Sequence, residues 1–277
     1  NPEASIIGND NFLVIPGLIN AHQHLTGDRL IQSCIPSEIE DTEAIFDWSV
    51  PIHALHSPDD DEISATLSLA ESARCGITFT VEAGTVAFPE MVLNGFEKVG
   101  VGGAIGSWGW DVGNGPYVDS VDGVIERQLQ VLEMTKNHSS VKGWVTLVGH
   151  NLMSDELLQK ATNLAKENST NLTLHLSPHA GEVSQYLEKT GMRPVNYISE
   201  LGVLGSHLLI GHAVHIDDSE LEVLINSKTA IASSPWAYLK LGQGVTRFGK
   251  HPEFVSKGGR LALGCDTENA GDSKDLL

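Results

Sequence analysis

The sequence predicts an α/β protein built as a (β/α)8 TIM barrel. Strand-like and helix-like segments alternate along the whole chain, a pattern typical of a parallel sheet with crossover helices. Eight strand-like segments can be counted, and the 277 residues suit a fold that typically takes about 250. No linker-like stretch divides the chain, so we expect one barrel over residues 13–277.

The predicted strands are short apolar runs that end near polar or turn-forming residues. They cover Leu13–His24, Ile77–Ala83, Val101–Ser107, Val141–Val148, Leu172–Leu176, His207–Ala213, Ala230–Ser234 and Arg260–Gly264.

Helix-like segments with recognisable start signals lie between these strands. Ser57-Pro58 opens a helix over Asp59–Cys75, and Ser154 is the N-cap candidate for Asp155–Glu167. The other predicted helices are Pro89–Val99, Val121–Lys136, Glu182–Leu201 and Ser219–Asn226. Pro194 interrupts the third of these, and Asp217-Asp218 is the cap candidate for the fourth. A region around Pro252–Ser256 precedes the last strand.

Composition excludes several classes of protein. No segment approaches the roughly 20 apolar residues of a membrane span, and no secretory signal opens the chain. Cys34, Cys75 and Cys265 are far apart and odd in number, which indicates reduced thiols in a cytoplasmic protein. The formal charge of −19 repels a phosphate backbone, so we expect a small-molecule substrate, with no nucleic-acid or membrane partner and homo-oligomerisation left open.

Polar side chains at the strand ends form a candidate metal site. His22 and His24 stand at i and i+2 of the first strand, so both imidazoles point to one side and can bind one ion. His175, His212 and Asp266 end the fifth, sixth and eighth strands, where barrel active sites are built. A single histidine in an apolar strand is more often a hydrogen-bonded core residue, and Asp266 alone could be a turn residue. Together the five suit zinc or a similar divalent ion with one position left for water.

The motifs around these residues resemble the amidohydrolase superfamily. Pro16–His24 looks like its strand-one signature, Gly211–His215 its strand-six signature, and Gly264–Asp266 its strand-eight signature. Gly191–Val195, Glu200–Gly205 and Leu239–Gly244 are similar to the aminohydrolase branch of guanine and cytosine deaminases, adenosylhomocysteine deaminases and triazine hydrolases. Relatives add a small β-sandwich, which is largely absent from this chain, and residues 1–12 would be a remnant of it.

The resemblance implies a mononuclear metal hydrolase that cleaves a C–N bond of a small, heterocyclic or other, substrate by deamination or amide hydrolysis. The implied ligands of one zinc, or alternatively iron, are His22, His24, His175, His212 and Asp266. Such an ion lowers the pKa of bound water from about 15.7 toward about 7, and Asp266 would be the general base. His215 would stabilise developing charge or contact substrate, and His150 matches a substrate-contacting histidine.

Two departures from the family pattern bear on mechanism. Relatives that deaminate heterocycles carry a proton-donating Glu where this chain has Pro178, which has no proton to give. His179, Glu182 or Glu268 could replace it, although for Glu182 we favour the solvated start of a helix. Two-metal members carry a lysine at the end of strand four, whereas Lys142 lies at its beginning, so one metal is expected.

The altered proton donor leaves alternatives open. Hydrolytic dehalogenation of a heterocycle is one, and a barrel that binds metal without turnover is another. Trp108 and Trp110 end strand three, where their rings could sandwich a flat substrate, and ordinary packing explains them equally well. With His150 and His179 they complete the candidate substrate-binding residues.

Overall fold

The computed structural model of the protein describes residues 5, 8–36, 38–39, 43–266 and 274–276. In these ranges eight parallel strands alternate with helices, as the sequence predicts. The strands are β1 (Leu18–Gln23), β2 (Ile77–Glu82), β3 (Gly102–Ile105), β4 in two segments (Val141–Gly143 and Val145–Gly149), β5 (Leu172–Leu176), β6 (Leu208–His212), β7 (Ala230–Ser233) and β8 (Arg260–Leu263).

Hydrogen bonds at two seams join these strands into a closed barrel. One sheet runs from β1 to the first segment of β4, and the other from its second segment to β8. Between them, the backbone N–H of Trp144 donates to the carbonyl of Ile105 at 2.8 Å. At the other seam the N–H of Asp266 donates to the carbonyl of His22 at 2.9 Å, and the N–H of His24 donates to that of Asp266 at 3.1 Å. The predicted (β/α)8 class is therefore confirmed.

Helices lie between the strands in the chain order, and the longer ones cover the outside of the barrel. They are α1 (Asp28–Ile31), α2 (Val50–His53), α3 (Pro58–Arg74), α4 (Pro89–Val99), α5 (Val121–Thr135), α6 (Asp155–Glu167), α7 (Ala180–Thr190), α8 (Pro194–Glu200), α9 (Asp218–Ser227), α10 (Pro235–Lys240), α11 (Val245–Phe248) and α12 (His251–Ser256), with a 3-10 turn at Gln32–Cys34 and a π-helix at Ala44–Ser49. Among the described residues, no helix is long and apolar enough to cross a membrane.

Two apolar layers hold the barrel. Inside it, Ala21, Val81, Ala104, Leu209 and Ala232 pack together, one from each of five strands. Outside it, a larger buried cluster joins the strands to the helices that cover them. Its members include Leu147, Leu157, Leu174, Ile198 and Leu224. Such close packing fixes where each strand ends, and the candidate site depends on those ends.

The start signals for helices are confirmed at atomic detail. Oγ of Ser57 accepts a hydrogen bond from the backbone N–H of Asp60, and the N–H of Ser57 donates to the carboxylate of Asp60, so a full capping box opens α3. Ser154 caps α6, and its predicted bounds of Asp155–Glu167 are those observed.

Two predicted elements differ from those observed: β1 begins later, and one predicted helix is two helices. Leu13, Val14 and Ile15 are 88%, 92% and 52% exposed and lie outside β1, whose pairing with β2 begins at Leu18. Pro16 has no N–H to give to a ladder, which favours this late start.

The predicted helix Glu182–Leu201 is two helices, α7 and α8. The first begins at Ala180, because His179 caps it by accepting the N–H of Glu182 at 3.2 Å. It ends at Gly191, whose φ of +73° suits a left-handed C-cap.

Gly149 provides a test of how tightly the strand ends are packed. Its φ is +86°, and a Cβ added there would lie 2.1 Å from the carbonyl oxygen of His175. Gly191 has a similar φ of +73°, but a Cβ there meets nothing within 4 Å among the described residues. We expect Gly191→Ala to cost about 1–2 kcal/mol through its backbone conformation alone. Gly149→Ala should cost about 2 kcal/mol more, because β4 and β5 must separate.

Urea unfolding followed by circular dichroism measures both variants. Equal midpoints for Gly149→Ala and Gly191→Ala would contradict the close approach of β4 to β5.

Candidate metal centre

Five predicted ligands meet at the carboxyl-terminal mouth of the barrel. His22 lies on β1 and His24 directly after it, His175 lies on β5, and His212 is the last residue of β6. Asp266 follows β8 and pairs with Gln23 through a single parallel bridge. All five side chains are buried.

The distances within this cluster are short. An oxygen of Asp266 lies 3.3 Å from Nε2 of His24 and 3.7 Å from Nε2 of His22, and its second oxygen lies 3.9 Å from Nδ1 of His212. Nε2 of His175 lies 3.3 Å from Nε2 of His24. Ligand atoms of His22, His175 and His212, and those of His22, His24 and Asp266, lie within 4.8 Å of one another.

The donor chemistry of the cluster fits a cation. Nδ1 of His175 lies 2.6 Å from the carbonyl oxygen of Val148, which only accepts, so this nitrogen carries the ring hydrogen. Nε2 of His175 therefore has a lone pair directed at its neighbours. The side chain of His22 is 1% exposed, and both of its ring nitrogens lack a hydrogen-bond partner within the described structure. One of these nitrogens carries the ring hydrogen and the other a lone pair, and burying that lone pair is costly unless an ion binds to it.

Burial keeps the imidazoles neutral. It is the main cause that holds the pKa of His22 and of His175 well below the ordinary value, and the neighbouring histidines add to it. Burial alone would raise the pKa of Asp266, but the neighbouring imidazoles of His24, His22 and His212 lower it by more, so the pKa lies below the ordinary value. Neutral imidazoles beside a carboxylate are the protonation states that a divalent ion requires.

Several residues at this mouth adopt left-handed backbone conformations. His212 has a φ of +79°, Ala213 of +49°, Asp266 of +63°, His150 of +52° and Ser177 of +54°. Non-glycine residues rarely take positive φ, and such strain concentrates at functional sites. The strand ends therefore bend so that the side chains enter one volume.

His150 lies beside the cluster, together with a buried carboxylate. Its ring stacks on that of His175 with centroids 5.1 Å apart, and its Nδ1 lies 3.6 Å from Oε2 of Glu182. Glu182 is 1% exposed, and its other oxygen accepts the N–H of Ser177 at 3.3 Å. The expected solvated position for Glu182 is therefore wrong, because α7 begins early enough to turn this side chain inward.

Two other candidates make contacts with the protein backbone. Nε2 of His215 donates to the carbonyl of Gln243 at 2.7 Å, and its ring packs against Phe248. His179 caps α7. Pro178 is buried behind these residues, and Glu268 lies outside the described residues.

An aromatic wall extends from His150 away from the metal ligands. Phe46 packs against His150 and against Trp110, with centroids 6.2 Å apart in both cases. Trp108 follows Trp110 at 6.1 Å and stacks on Tyr117 at 4.5 Å. Both indole N–H groups are buried without a partner in the described structure. The wall combines apolar faces with unused donors.

Sequence reasoning missed Glu82 and Thr85, which lie behind His24. Nδ1 of His24 is 3.2 Å from Oγ1 of Thr85, which donates to Glu82 at 2.8 Å. A signal was present, since Glu82 is a carboxylate at the end of an apolar strand beside His24. The segment over 43–53, which supplies Phe46, carried no such signal and was also missed.

The sequence predicts Lys142 at the beginning of β4, away from the candidate metal site. Its Nζ donates to the carbonyl of His138 at 2.8 Å. Lys142 is the exposed residue of the first segment of β4, and the carboxyl-terminal segment of that strand is Val145–Gly149. The position therefore agrees with the prediction from the sequence.

Comparison with known proteins places this geometry in a family. The chain is 27% identical over 278 residues to a 5-methylthioadenosine/S-adenosylhomocysteine deaminase of Caldicellulosiruptor saccharolyticus, covering 98% of this chain and 60% of the relative. It superimposes on an adenosine deaminase from Xanthomonas campestris with bound zinc at a TM-score of 0.85 and 20% identity, over 94% of this chain and 58% of that one. With an atrazine chlorohydrolase from Arthrobacter aurescens, complexed with zinc, the TM-score is 0.83 at 19% identity, over 94% and 62%.

The chain thus spans about 60% of the length of the relatives that it matches. The sequence model described as "Amidohydrolase family" matches residues 13–277. The resemblance seen in the motifs is confirmed, and the chain belongs to the amidohydrolase family.

Proposed function

We propose that this protein is a metal-dependent hydrolase that cleaves a C–N bond of a small heterocyclic substrate. One observation carries the proposal: four buried imidazoles and a buried carboxylate meet at the barrel mouth, with two Nε2 atoms 3.3 Å apart. The matched relatives include deaminases of adenosine derivatives, which supports this reaction class.

We assign one divalent ion to His22, His24, His175, His212 and Asp266, with zinc first and iron as the alternative. Zinc is supported by the zinc in two structural neighbours and by the mixed nitrogen and oxygen donors. A single ion is supported by the position of Lys142 at the far end of β4. When bound, the ion supplies a Lewis acid that lowers the pKa of a water ligand.

Asp266 would act as the general base. Its pKa is held low, so its carboxylate is ionised at neutral pH and can accept a proton from the attacking water. The same oxygen would then return the proton to the leaving nitrogen. Pro178 supplies no second donor, so this shuttle falls to Asp266 in the proposed mechanism.

The substrate would lie between the metal ligands and the aromatic wall. His150 adjoins both, since it stacks on His175 and contacts Phe46. Trp108 and Trp110 would contribute apolar faces and indole donors for acceptor atoms of a flat ring. Substrate contact by His215 or His179 stays a prediction, because Nε2 of His215 and Nδ1 of His179 make hydrogen bonds to backbone groups.

Dehalogenation is the second candidate, because a neighbour at a TM-score of 0.83 is an atrazine chlorohydrolase. Pro178 also keeps open the alternative of a barrel that binds metal without turnover.

A cytoplasmic location stays part of the proposal. It is supported by Cys34, Cys75 and Cys265, all three of them free thiols.

A metal assay combined with a substrate panel tests the proposal directly. We expect about one ion per chain by plasma mass spectrometry. We also expect ammonia release from at least one of adenosine derivatives, guanine or aminotriazines, with chloride release from chlorotriazines assayed in parallel. One bound ion with no turnover of any compound would favour the binding barrel.

Asp266→Asn should lower kcat by at least about 10²-fold, because the amide cannot accept the proton of water. Asp122→Asn is the matched control, since that side chain is 88% exposed and ion-paired with Lys160. Rates are expressed per bound metal, so that lost affinity is separated from lost chemistry. An unchanged rate for Asp266→Asn would remove Asp266 from its assigned role.

The metal-free protein should become less stable as the pH falls from 7.5 to 5.5. His22 and His175 have lowered pKa values when folded, so below about 6.5 they take up protons on unfolding, and this favours the unfolded chain. Stability is therefore retained above pH 6.5 and lost below it. Thermal unfolding followed across this range measures the slope, which His175→Gln should reduce; a flat profile would contradict buried neutral histidines.

A further inference from the structure

A chain of two hydrogen bonds connects His24 to a buried carboxylate. Nδ1 of His24 lies 3.2 Å from Oγ1 of Thr85, and that hydroxyl lies 2.8 Å from Oε1 of Glu82. All three side chains are buried, with Glu82 fully so. Glu82 is the last residue of β2, and Thr85 stands three residues later on the loop that faces β1.

Donors surround the carboxylate of Glu82 on both oxygens. Oε2 accepts the backbone N–H of Gly84 at 2.6 Å, and Oε1 accepts the N–H of Thr85 at 3.1 Å as well as its hydroxyl. Burial raises the pKa of Glu82, whereas these three donors favour its ionised form, which only accepts hydrogen bonds. The hydroxyl hydrogen of Thr85 is therefore directed to Glu82.

Thr85 is held from its other side too. Its backbone carbonyl accepts the hydroxyl of Thr26 at 2.7 Å. With its hydrogen given to Glu82, Oγ1 of Thr85 faces His24 with a lone pair, and Nδ1 of His24 must be the donor. A neutral imidazole carries one ring hydrogen, so Nε2 of His24 is left with a lone pair.

That lone pair lies where the candidate ligands meet. Nε2 of His24 is 3.3 Å from Nε2 of His175 and 3.3 Å from an oxygen of Asp266. His175 reaches the same state by a different route, through its bond to the carbonyl of Val148. The reverse direction of hydrogen bonding at Thr85 would put a hydrogen on Nε2 of His24 and block it as a ligand.

We propose that Glu82 and Thr85 are positioning residues that fix the tautomer and orientation of His24, so that its Nε2 is ready to bind the metal. This role rests on the proposed function as a metal hydrolase. Contacts of this kind behind a ligand typically change metal affinity by about 10–100-fold.

Three variants separate this role from simple packing. Thr85→Val keeps the shape and removes the hydroxyl. Glu82→Gln keeps the shape of the carboxyl group but adds an amide donor, which can turn the Thr85 hydroxyl toward His24 and move the hydrogen to Nε2. Thr85→Ser keeps the hydroxyl and is the matched control.

Zinc affinity is measured by competition with a chelator, and the His24 tautomer by ¹⁵N chemical shifts of the metal-free protein. We expect Thr85→Val and Glu82→Gln to bind zinc about 10–100-fold more weakly, and Thr85→Ser to stay near the wild type. In the wild type, Nε2 of His24 should give the shift of an unprotonated nitrogen, and in Glu82→Gln that of a protonated one. Urea midpoints identify a variant that weakens binding by unfolding.

Two results would overturn the proposed positioning role of Glu82 and Thr85. One is an Nε2 hydrogen on His24 in the wild type, and the other is wild-type zinc affinity in both Thr85→Val and Glu82→Gln. A wild type that binds no zinc would instead refute the proposed function, and the tautomer measurement would still test the positioning role. If Thr85→Val does not fold, the zinc affinity of Glu82→Gln is compared with that of Thr85→Ser instead.

Discussion

The seam between β8 and β1 is the constraint on which the rest of the structure depends. Two backbone hydrogen bonds at Asp266, to His22 and from His24, close the barrel there. The same bonds bring the carboxylate of Asp266 beside the imidazoles of both histidines. The hydrogen bonds that close the barrel therefore also fix the positions of these ligands relative to one another.

Several features at the barrel mouth lower the stability of the metal-free protein. The buried imidazole of His22, whose nitrogens lack a hydrogen-bond partner among the described residues, the buried carboxylate of Asp266 and the left-handed backbone at His212 each cost free energy in the metal-free chain. The apolar clusters inside and outside the strands offset these costs. A cation at the site would satisfy the same groups, so binding and stability are coupled through the neutral state of the histidines.

The sequence predicts the parts of this design that depend on local pattern. Strand periodicity located β5 without error, and the i, i+2 spacing placed His22 and His24 on one side. Burial of Glu182 could not be read in the same way, because an acidic residue in the first turn of a helix is usually solvated. Its environment depends on where α7 starts, which His179 decides. The pattern around Glu82 shows a carboxylate at the end of an apolar strand, but its connection to His24 through Thr85 is a contact between β2 and β1, which the local pattern does not specify.

Pro178 narrows the chemistry that the proposed site can perform. With proline at position 178, the proposed mechanism leaves the proton that Asp266 takes from water as the one passed to the leaving group. A strongly basic leaving nitrogen needs protonation early in bond cleavage, whereas an electron-poor ring or a halide departs with less help. The carboxylate of Glu182 is buried against Ser177 and His150, and its use as the replacement acid stays a prediction. On the proposed function, the substrate is therefore one whose own ring stabilises the departing electrons, which an aromatic wall at Trp108 and Trp110 is suited to hold.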